Sequence, residues 1–351
     1  MFIPMSIAVT IIVLGFIIFI HELGHFLLAK LAKVRVLQFS LGFPPKALSK
    51  KIGETEYILG LIPFGGYVKM SGEEDKGDGN PWDYSNKHPL AKIAIILAGP
   101  LFNLIFGIFL LIFVLAVWGG VETDLSRPVV GKVKKNTPAH KVGILPGDSI
   151  IAVNGEPISS WEELTIKLRA FPGRRVTIDL IREKEKHTLS VRLSSRLYEG
   201  KRVGILGVYP KIYSKKVPYS PIGAIVEAFR KTAGFLQELF RFFGRLFSGE
   251  VSIKEVGGPI FIGQLAGQSA RLGISYLLFF VAFLSINLAF INLFPIPMLD
   301  GGQIIFCTVE WIYRRPISAK TKLVFQKIGL VILLSLMLLI MSNDILRILG
   351  L

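Results

Sequence analysis

His21-Glu22-Leu23-Gly24-His25 is the stretch on which the interpretation of this chain depends. It lies near the end of an apolar run that begins at about Met5 and is long enough to cross a lipid bilayer. Residues four apart share one face of a helix, so His21 and His25 offer two imidazoles to one metal ion. Glu22 lies beside them as a candidate general base. Ionisable side chains are costly inside a membrane, so this group indicates a functional metal site rather than histidines bonded within a helix bundle.

The composition indicates a membrane protein. Of the 351 residues, 51% are hydrophobic, and the mean hydropathy is +0.55. Cys307 is the only cysteine in the sequence, which excludes an internal disulfide and a cysteine cluster for a metal. The net charge is +16, and the basic residues flank the apolar runs. We therefore predict contact with anionic lipids and no binding of nucleic acid, for which the sequence has no motif.

Four apolar runs predict four transmembrane helices, at about residues 5–30, 90–118, 274–292 and 323–341. Basic residues cluster after the first run: Lys30, Lys33, Arg35, Lys46, Lys50 and Lys51. The positive-inside rule assigns this side of the membrane to the cytoplasm. Both termini and the long segment after the second run are then expected outside the cytoplasm.

The segments between the runs predict three further elements. Residues 34–70 have short strand patterns separated by turns, and residues 126–210 alternate strands with two short helices, as in a small α+β domain. Residues 222–247 carry apolar side chains on one side of a helix and basic side chains on the other. This pattern is typical of a helix in the headgroup plane, and a core-facing helix of a soluble domain is the alternative.

The predicted topology brings a distant carboxylate to the same side of the membrane as the two histidines. His21 lies about 24 Å along the first helix, and Asp300 follows the third helix, which runs in the same direction. A catalytic zinc site needs a third protein ligand and leaves a fourth position for water. We predict that Asp300 is this ligand, although its position before Gly301 and Gly302 also suits a turn or cap residue. Glu22 would then act as the general base.

An extended substrate is also expected. A membrane helix hides its carbonyl groups in its own hydrogen bonds, so the substrate must unwind before hydrolysis. The strand patterns at residues 57–59 and 66–70 offer an edge with which an unwound segment can pair. Gly66, Tyr67 and Val68 are therefore predicted to bind substrate.

Three motifs resemble those of the site-2 protease family of intramembrane zinc metalloproteases. They are His21-Glu22-x-x-His25 in the first span, Ala98-Gly99-Pro100 with Asn103 in the second, and Asn292-x-x-Pro295-x-Pro297-x-Leu299-Asp300-Gly301 after the third. Residues 64–70 are similar to the family's membrane-embedded β element, and residues 126–210 are similar to a PDZ domain. The likeness is greatest to the bacterial RseP branch, whose members often have two tandem PDZ domains where this chain has room for one.

The resemblance implies a fold class, a cofactor and site residues. The fold class is a multi-pass α-helical membrane protein with four transmembrane helices, a membrane-associated β element and an inserted α+β PDZ domain. The implied domains are two halves of a membrane core (1–120 and 257–351), the PDZ domain (126–210) and an amphipathic surface helix (218–250). The cofactor is Zn²⁺. The implied site residues are the zinc ligands His21, His25 and Asp300, the catalytic base Glu22, and Asn292, Pro295 and Pro297 beside the substrate.

The family's activity, regulated intramembrane proteolysis, sets the expected substrates and location. Single-pass membrane proteins, often anti-sigma factors, are first shortened outside the cytoplasm by a site-1 protease and then cut within their span. Signal-peptide remnants are also cleared, and the PDZ domain and amphipathic helix exclude intact substrates by size. The expected location is the bacterial inner membrane, with the PDZ domain extracytoplasmic and the active site toward the cytoplasm.

Two other functions would use the same residues. A metal transporter or sensor would use the ligands, but it needs further polar residues along the spans, and few are present. A catalytically inactive PDZ scaffold in the membrane would have no use for Glu22 beside the two histidines. Both functions are alternatives to proteolysis.

Overall fold

The structure, a computed structural model, describes residues 2–73, 79–198, 201–211, 213–252, 256–315 and 317–349. The chain forms two compact units: Gly119–Pro218, called here the insert unit, and the remainder, called the membrane unit. The helices are α1 Phe2–Leu31, α2 Pro89–Trp118, α3 Pro138–Lys141, α4 Trp161–Arg169, α5 Pro221–Phe247, α6 Pro259–Leu272, α7 Ile274–Asn292, α8 Asp300–Tyr313 and α9 Ala319–Leu349. The strands are β1 Val36–Ile52, β2 Thr55–Met70, β3 Gly120–Asp124, β4 Val130–Val133, β5 Ser149–Val153, β6 Glu156–Pro157, β7 Arg175–Arg182, β8 Glu185–Arg192, β9 Ser194–Tyr198, β10 Lys201–Ile205, β11 Val208–Pro210 and β12 Tyr213–Val217.

Within the described residues, four helices are long and apolar enough to cross a membrane. They are Ser6–Leu31, Pro89–Trp118, Ile274–Asn292 and Lys320–Arg347. A helix satisfies its backbone hydrogen bonds internally, which is why apolar runs of this length fold as helices in lipid. The predicted four-span membrane protein is confirmed.

Helices α1, α2 and α7 pack closely because small residues lie where they cross. A Cβ added at Gly24 of α1 would be 2.4 Å from the Ala98 carbonyl oxygen of α2. A Cβ at Gly107 of α2 would be 2.6 Å from Ile286 Cγ1 of α7. Small residues at such crossings let membrane helices gain contact where no hydrophobic driving force holds them together. The crossing of α1 and α2 at Gly24 lies inside the His-Glu-x-x-His motif.

β1 and β2 are the two strands of one antiparallel sheet, and because each of them bends they contribute four paired segments. Residues 36–41 pair with 66–70 on one side, and their last four residues pair with 56–59 on the other. Residues 46–52 pair with 55–60. Among the described residues, 66–70 pair with no further strand, so they form one edge of the sheet. We call residues 66–70 the edge strand.

The sheet docks on the face of α1 that carries Glu22. Phe39 of the sheet makes edge contacts with Phe19 and Phe26 of α1, with ring centroids 5.9 and 5.2 Å apart. Phe19, Glu22 and Phe26 are three and four residues apart and share one face of the helix. The two histidines of the motif lie on the neighbouring face, toward α2. One helix therefore presents its acid to the sheet and its imidazoles to the bundle.

The sequence patterns do not predict two helices of the membrane unit, α6 and α8. Each is 14 residues long, so neither has the length of a span. The N-terminus of α6 is capped from α9, where the buried Asp344 carboxylate accepts hydrogen bonds from the N–H groups of Gly258 and Phe261, both at 3.0 Å. A carboxylate in this position satisfies donors that the helix itself leaves unpaired.

The insert unit is an α+β domain, as predicted. Its largest sheet has the strand order β6-β5-β7-β8, and three further pairs are β3 with β12, β4 with β11, and β9 with β10. Pairing of β3 with β12 joins the two ends of the unit. The core lies between the sheet and the helices and includes the fully buried side chains of Ile150, Leu164 and Ile178.

Asp148 fixes the turn that precedes β5. Its side chain is 1% exposed and accepts hydrogen bonds from the Leu145 N–H at 2.8 Å and from Arg182 Nε and Nη2 at 2.8 and 2.7 Å. Burial alone would raise the pKa of Asp148, but the hydrogen bonds from Arg182 and Leu145 outweigh it, so the pKa lies below its ordinary value. The ionised carboxylate is therefore part of the folded insert unit.

Candidate metal centre

Two histidines of α1 and the distant Asp300 at the start of α8 meet beside α2. His21 Nε2 lies 3.1 Å from Asp300 Oδ2 and 3.2 Å from His25 Nε2. His25 Nε2 lies 3.6 Å from Asp300 Oδ1. One candidate ligand atom from each residue lies within 4.8 Å of the other two. The structure therefore brings together all three residues predicted to be ligands.

The imidazoles reach this position because α1 and α2 are in close contact. His21 and His25 are one helical turn apart, and their rings are 4.8 Å apart and nearly perpendicular. Both rings lie over Gly99 of α2, where there is no room for a side chain. The Ala98-Gly99-Pro100 motif thus provides the floor of the site.

The start of α8 positions Asp300. Residues 293–299 form the connection from α7, and Asp300 is the first residue of the next helix. A Cβ added at Gly301 would be 2.3 Å from the Leu293 carbonyl oxygen, and Gly302 is equally close to the same connection. The glycines after Asp300 therefore allow α8 to fold back tightly on the connection, which directs the carboxylate toward α1.

A backbone carbonyl of α2 orients one of the histidines. His25 Nδ1 lies 2.8 Å from the Ile95 carbonyl oxygen. An N–H at Nδ1 bonded there leaves the Nε2 lone pair directed toward Asp300. Metal-ligating histidines commonly donate their other ring N–H to such an acceptor. Sequence reasoning missed the part played by Ile95, because a backbone carbonyl gives no side-chain signal.

Glu22 contacts the edge strand. It follows His21 directly, and a Cβ added at Gly66 would be 2.9 Å from Glu22 Cγ and 2.8 Å from the Ser40 carbonyl oxygen. The backbone of Gly66 therefore passes against the Glu22 side chain. Tyr67 and Val68 continue the edge strand away from this contact, and the Tyr67 hydroxyl lies 3.4 Å from Gln38 Oε1.

The residues of the connection between α7 and α8 differ in their distance from the ligands. Asn292 Nδ2 lies 3.5 Å from both ring nitrogens of His21. Pro297 packs on α9, where a Cβ at Gly329 would be 3.2 Å from it. Pro295 is exposed on the connection. Asn292 is therefore the member of this group that the structure brings to the metal centre.

The donor set suits a zinc ion. Two imidazole nitrogens and one carboxylate oxygen form a ligand set of catalytic zinc sites. Asp300 Oδ2 is buried and, although His21 Nε2 lies 3.1 Å away, it accepts no hydrogen bond within the part of the chain that the structure describes. An unsatisfied buried carboxylate oxygen is costly, and a cation held by the three side chains removes that cost.

Residues 9–336 match the family described as peptidase family M50. The chain belongs to this family. The match extends over most of the chain and confirms the predicted membership of the site-2 proteases. This M50 peptidase is a zinc metalloprotease, as the sequence predicted.

Relatives of nearly full length agree with the family. The chain is 31% identical to the regulator of sigma-E protease RseP of Escherichia coli (strain K12), over 96% of this chain and 97% of that protein. It is 31% identical to the regulator of sigma E protease of Salmonella typhi, over 97% and 98%. A Campylobacter jejuni protein that is provisionally named a zinc metalloprotease is 35% identical, over 97% and 93%.

The solved structures that are similar to part of this chain include a PDZ domain. The PDZ domain of the SdrC-like protein from Listeria monocytogenes is 22% identical, with a TM-score of 0.21, and the match covers 25% of this chain and 88% of that one.

Proposed function

We propose that this M50 peptidase hydrolyses peptide bonds in or near the transmembrane segments of single-pass membrane proteins. The observation that carries the proposal is the approach of Asp300 to His21 and His25, which flank Glu22 on a helix long enough to span a membrane. A soluble substrate would not require a metal centre on such a helix. The charged and polar side chains there are costly unless they have a function.

In the proposed mechanism His21, His25 and Asp300 hold zinc. The metal, when bound, supplies Lewis-acid chemistry that makes water nucleophilic near neutral pH and polarises the scissile carbonyl. Glu22 accepts the proton of the attacking water and returns it to the departing amine. Asn292, with its amide 3.5 Å from the His21 ring, is near enough to donate a hydrogen bond to a substrate carbonyl at the centre.

The edge strand holds the substrate in an extended form. Its residues Gly66, Tyr67 and Val68 pair with one strand segment only among the described residues, and Gly66 lies against Glu22. A substrate paired with Gly66, Tyr67 and Val68 is therefore guided past the general base. Pro295 and Pro297 shape the opposite side of the substrate path, because they fix the connection that carries Asp300.

We also propose a place in regulated intramembrane proteolysis. An upstream site-1 protease first shortens the substrate outside the cytoplasm, and this enzyme then cuts within the span. The names of the Escherichia coli and Salmonella typhi relatives, which describe regulators of sigma E, support anti-sigma factors as one substrate class. Signal-peptide remnants are a second class.

The proposed location is the bacterial inner membrane. The termini and the PDZ domain (126–210) are extracytoplasmic, and the centre lies toward the cytoplasmic side. The two halves of the membrane core are residues 1–120 and 257–351. The basic residues after α1 support this orientation.

The surface helix within residues 218–250 contacts anionic lipids. The proposal is supported by the different character of three faces of α5. Ala224 and Ala228 are fully buried against the bundle. The exposed apolar side carries Ile222, Phe229, Phe240 and Phe247, at 75%, 54%, 67% and 79% exposure. The third side carries Arg230, Arg241 and Arg245. Such a helix can contact the bundle, the acyl chains and the lipid headgroups through different faces.

A Glu22→Gln variant tests the proposal. Zinc content should stay near that of the parent, because the three ligands remain. Cleavage of a single-pass substrate with a shortened outer domain should fall by about 10²- to 10⁴-fold, as is typical for loss of a general base. The matched control is Glu54→Gln in the tip of β1–β2, where the carboxylate is 45% exposed and pairs with Lys30. This control should leave cleavage unchanged.

Three results would contradict the proposal. Persistent cleavage by the Glu22→Gln variant would exclude Glu22 as the base. Zinc transport into vesicles by the parent, without cleavage, would favour a metal transporter. A parent that binds zinc but neither cleaves nor transports would favour an inactive scaffold.

A further inference from the structure

Asn103 is a buried polar residue of the Ala-Gly-Pro motif region to which the mechanism above gives no part. Its side chain is 0% exposed, and its Nδ2 lies 3.3 Å from His21 Nδ1. Its Oδ1 is buried and has no hydrogen-bond partner in the described part of the chain. It follows Gly99 by four residues, so both lie on the face of α2 that meets the histidines. This spacing is a signal that the sequence already contains.

If His21 binds the metal through Nε2, its Nδ1–H needs a hydrogen-bond acceptor. Its Nε2 faces the other ligand atoms, at 3.1 Å from Asp300 Oδ2 and 3.2 Å from His25 Nε2. A neutral imidazole that ligates a metal through Nε2 carries its proton on Nδ1. That N–H is buried and needs an acceptor, as His25 has in the Ile95 carbonyl.

The Asn103 side chain meets this requirement when its amide is turned over. The oxygen and nitrogen of an amide are assigned from the hydrogen-bond network, and here the two exchange places without moving the residue. Oδ1 then lies at 3.3 Å from His21 Nδ1 and accepts its hydrogen bond. Asn292 is a poorer candidate, because its Nδ2 is 3.5 Å from both ring nitrogens and so lies over the ring rather than in line with Nδ1.

The backbone at this position is also fixed. The buried Ser285 hydroxyl of α7 donates to the Asn103 carbonyl oxygen at 2.8 Å. Asn103 is thereby held between α2 and α7 at the level of the ligands.

We infer that Asn103 is a positioning residue, which accepts the Nδ1–H of His21 and so holds the ring with Nε2 toward the metal. Together with Ile95 it makes α2 the helix that selects the tautomer of both histidines. The inference rests on the proposed zinc site and adds to it the residue that orients its most buried ligand.

The test measures zinc affinity in the full chain, purified with Glu22→Gln so that proteolysis does not interfere. Asn103→Leu keeps the branched side-chain shape but removes the acceptor, and it should weaken zinc binding by about 10- to 100-fold in competition with a chelator. Asn103→Asp keeps an acceptor oxygen, so its zinc affinity should stay close to that of the parent. Ser285→Ala removes the hydrogen bond to the Asn103 backbone but leaves the Asn103 side chain in place, so it should weaken zinc binding less than Asn103→Leu does.

A second measurement does not depend on the leucine variant folding. In the zinc-loaded parent labelled with ¹⁵N-histidine, the His21 Nδ1 resonance should be split by a directly bonded proton. An unprotonated Nδ1 would overturn the inference. So would parental affinity in Asn103→Leu, or a loss in Asn103→Asp or Ser285→Ala equal to that in Asn103→Leu. A parent that binds no zinc would instead overturn the proposed metal site, and the inference with it.

Discussion

Gly99 lies directly against the ring of His25: a Cβ added to the glycine would be 2.4 Å from His25 Nε2 and 2.8 Å from His21 Cε1. Real Cβ atoms do not come this close to other heavy atoms. A Gly99→Ala substitution must therefore displace a ligand ring or separate α1 from α2. We expect at least a tenfold loss of zinc affinity, roughly the loss caused by disturbing the surroundings of other metal sites.

Gly15→Ala is the matched control for that prediction. It makes the same substitution in the middle of α1, where a Cβ would meet nothing within 4 Å. Zinc affinity, measured by chelator competition, should not change. Equal zinc binding by Gly99→Ala and the parent would mean that the rings do not lie over Gly99 in the zinc-loaded protein.

Proline scanning tests whether the edge strand binds substrate. Successive N–H groups of an edge strand point alternately toward the sheet and away from it. Of Tyr67→Pro and Val68→Pro, one variant therefore removes an outward N–H without breaking the sheet. That variant should bind zinc normally but cleave a membrane substrate more slowly, because proline cannot donate to a paired strand.

The opposite edge of the same sheet provides the control. Ser49→Pro and Lys50→Pro lie in residues 46–52, which pair only with 55–60 among the described residues. Neither variant should slow cleavage, except through any general weakening of the sheet. If neither Tyr67→Pro nor Val68→Pro slows cleavage, the substrate is not held by strand pairing.

The stability of the insert unit should decrease in acid because of Asp148. The pKa of this carboxyl is lower in the folded chain than its ordinary value, so the unfolded state takes up its proton first. The stabilisation is complete above the ordinary pKa of about 4 and is lost as the pH falls through that value toward the lower folded pKa. Hydrogen–deuterium exchange of peptides from residues 119–218 in the full chain would measure this loss.

Substitution of Asp148 should remove much of that pH dependence. Asp148→Asn leaves Arg182 without its charged partner, and we expect a loss of about 2 kcal/mol at neutral pH, between the values for exposed and buried pairs. Asp179→Asn is the control, because its partner Lys186 is 62% exposed and such a pair contributes little. An unchanged pH profile in Asp148→Asn would assign the acid sensitivity to other carboxylates.

Much of the architecture could be read from local patterns. The four spans follow from apolar runs, and the His-Glu-x-x-His spacing places two imidazoles on one helical face whatever the rest of the chain does. The sequence patterns did not predict helices α6 and α8, because both are short and their apolar residues are interrupted by glycine and polar side chains. Their positions depend on contacts such as the Asp344 cap, which joins residues more than 80 positions apart.

The sheet formed by β1 and β2 could not be derived in the same way. The strand patterns at residues 57–59 and 66–70 predict strands but not their partners. Pairing of residues 36–41 with two different segments is a choice among registers that have similar local preferences. The docking of Phe39 on Phe19 and Phe26 then sets which strand lies at the edge and which residue meets Glu22.

The sequence alone determined that this chain is a four-span membrane protein with a paired-imidazole motif and an acid beside it. Helical periodicity and the cost of ionisable groups in lipid are local properties of the chain, so they can be read directly from it. Only the tertiary structure decided that Asp300 comes within 3.1 Å of His21, that Asn103 lies at the other side of the same ring, and that Gly66 meets Glu22. Those distances depend on how closely three helices and a sheet pack, and close packing is set by side-chain volumes at positions far apart in the sequence.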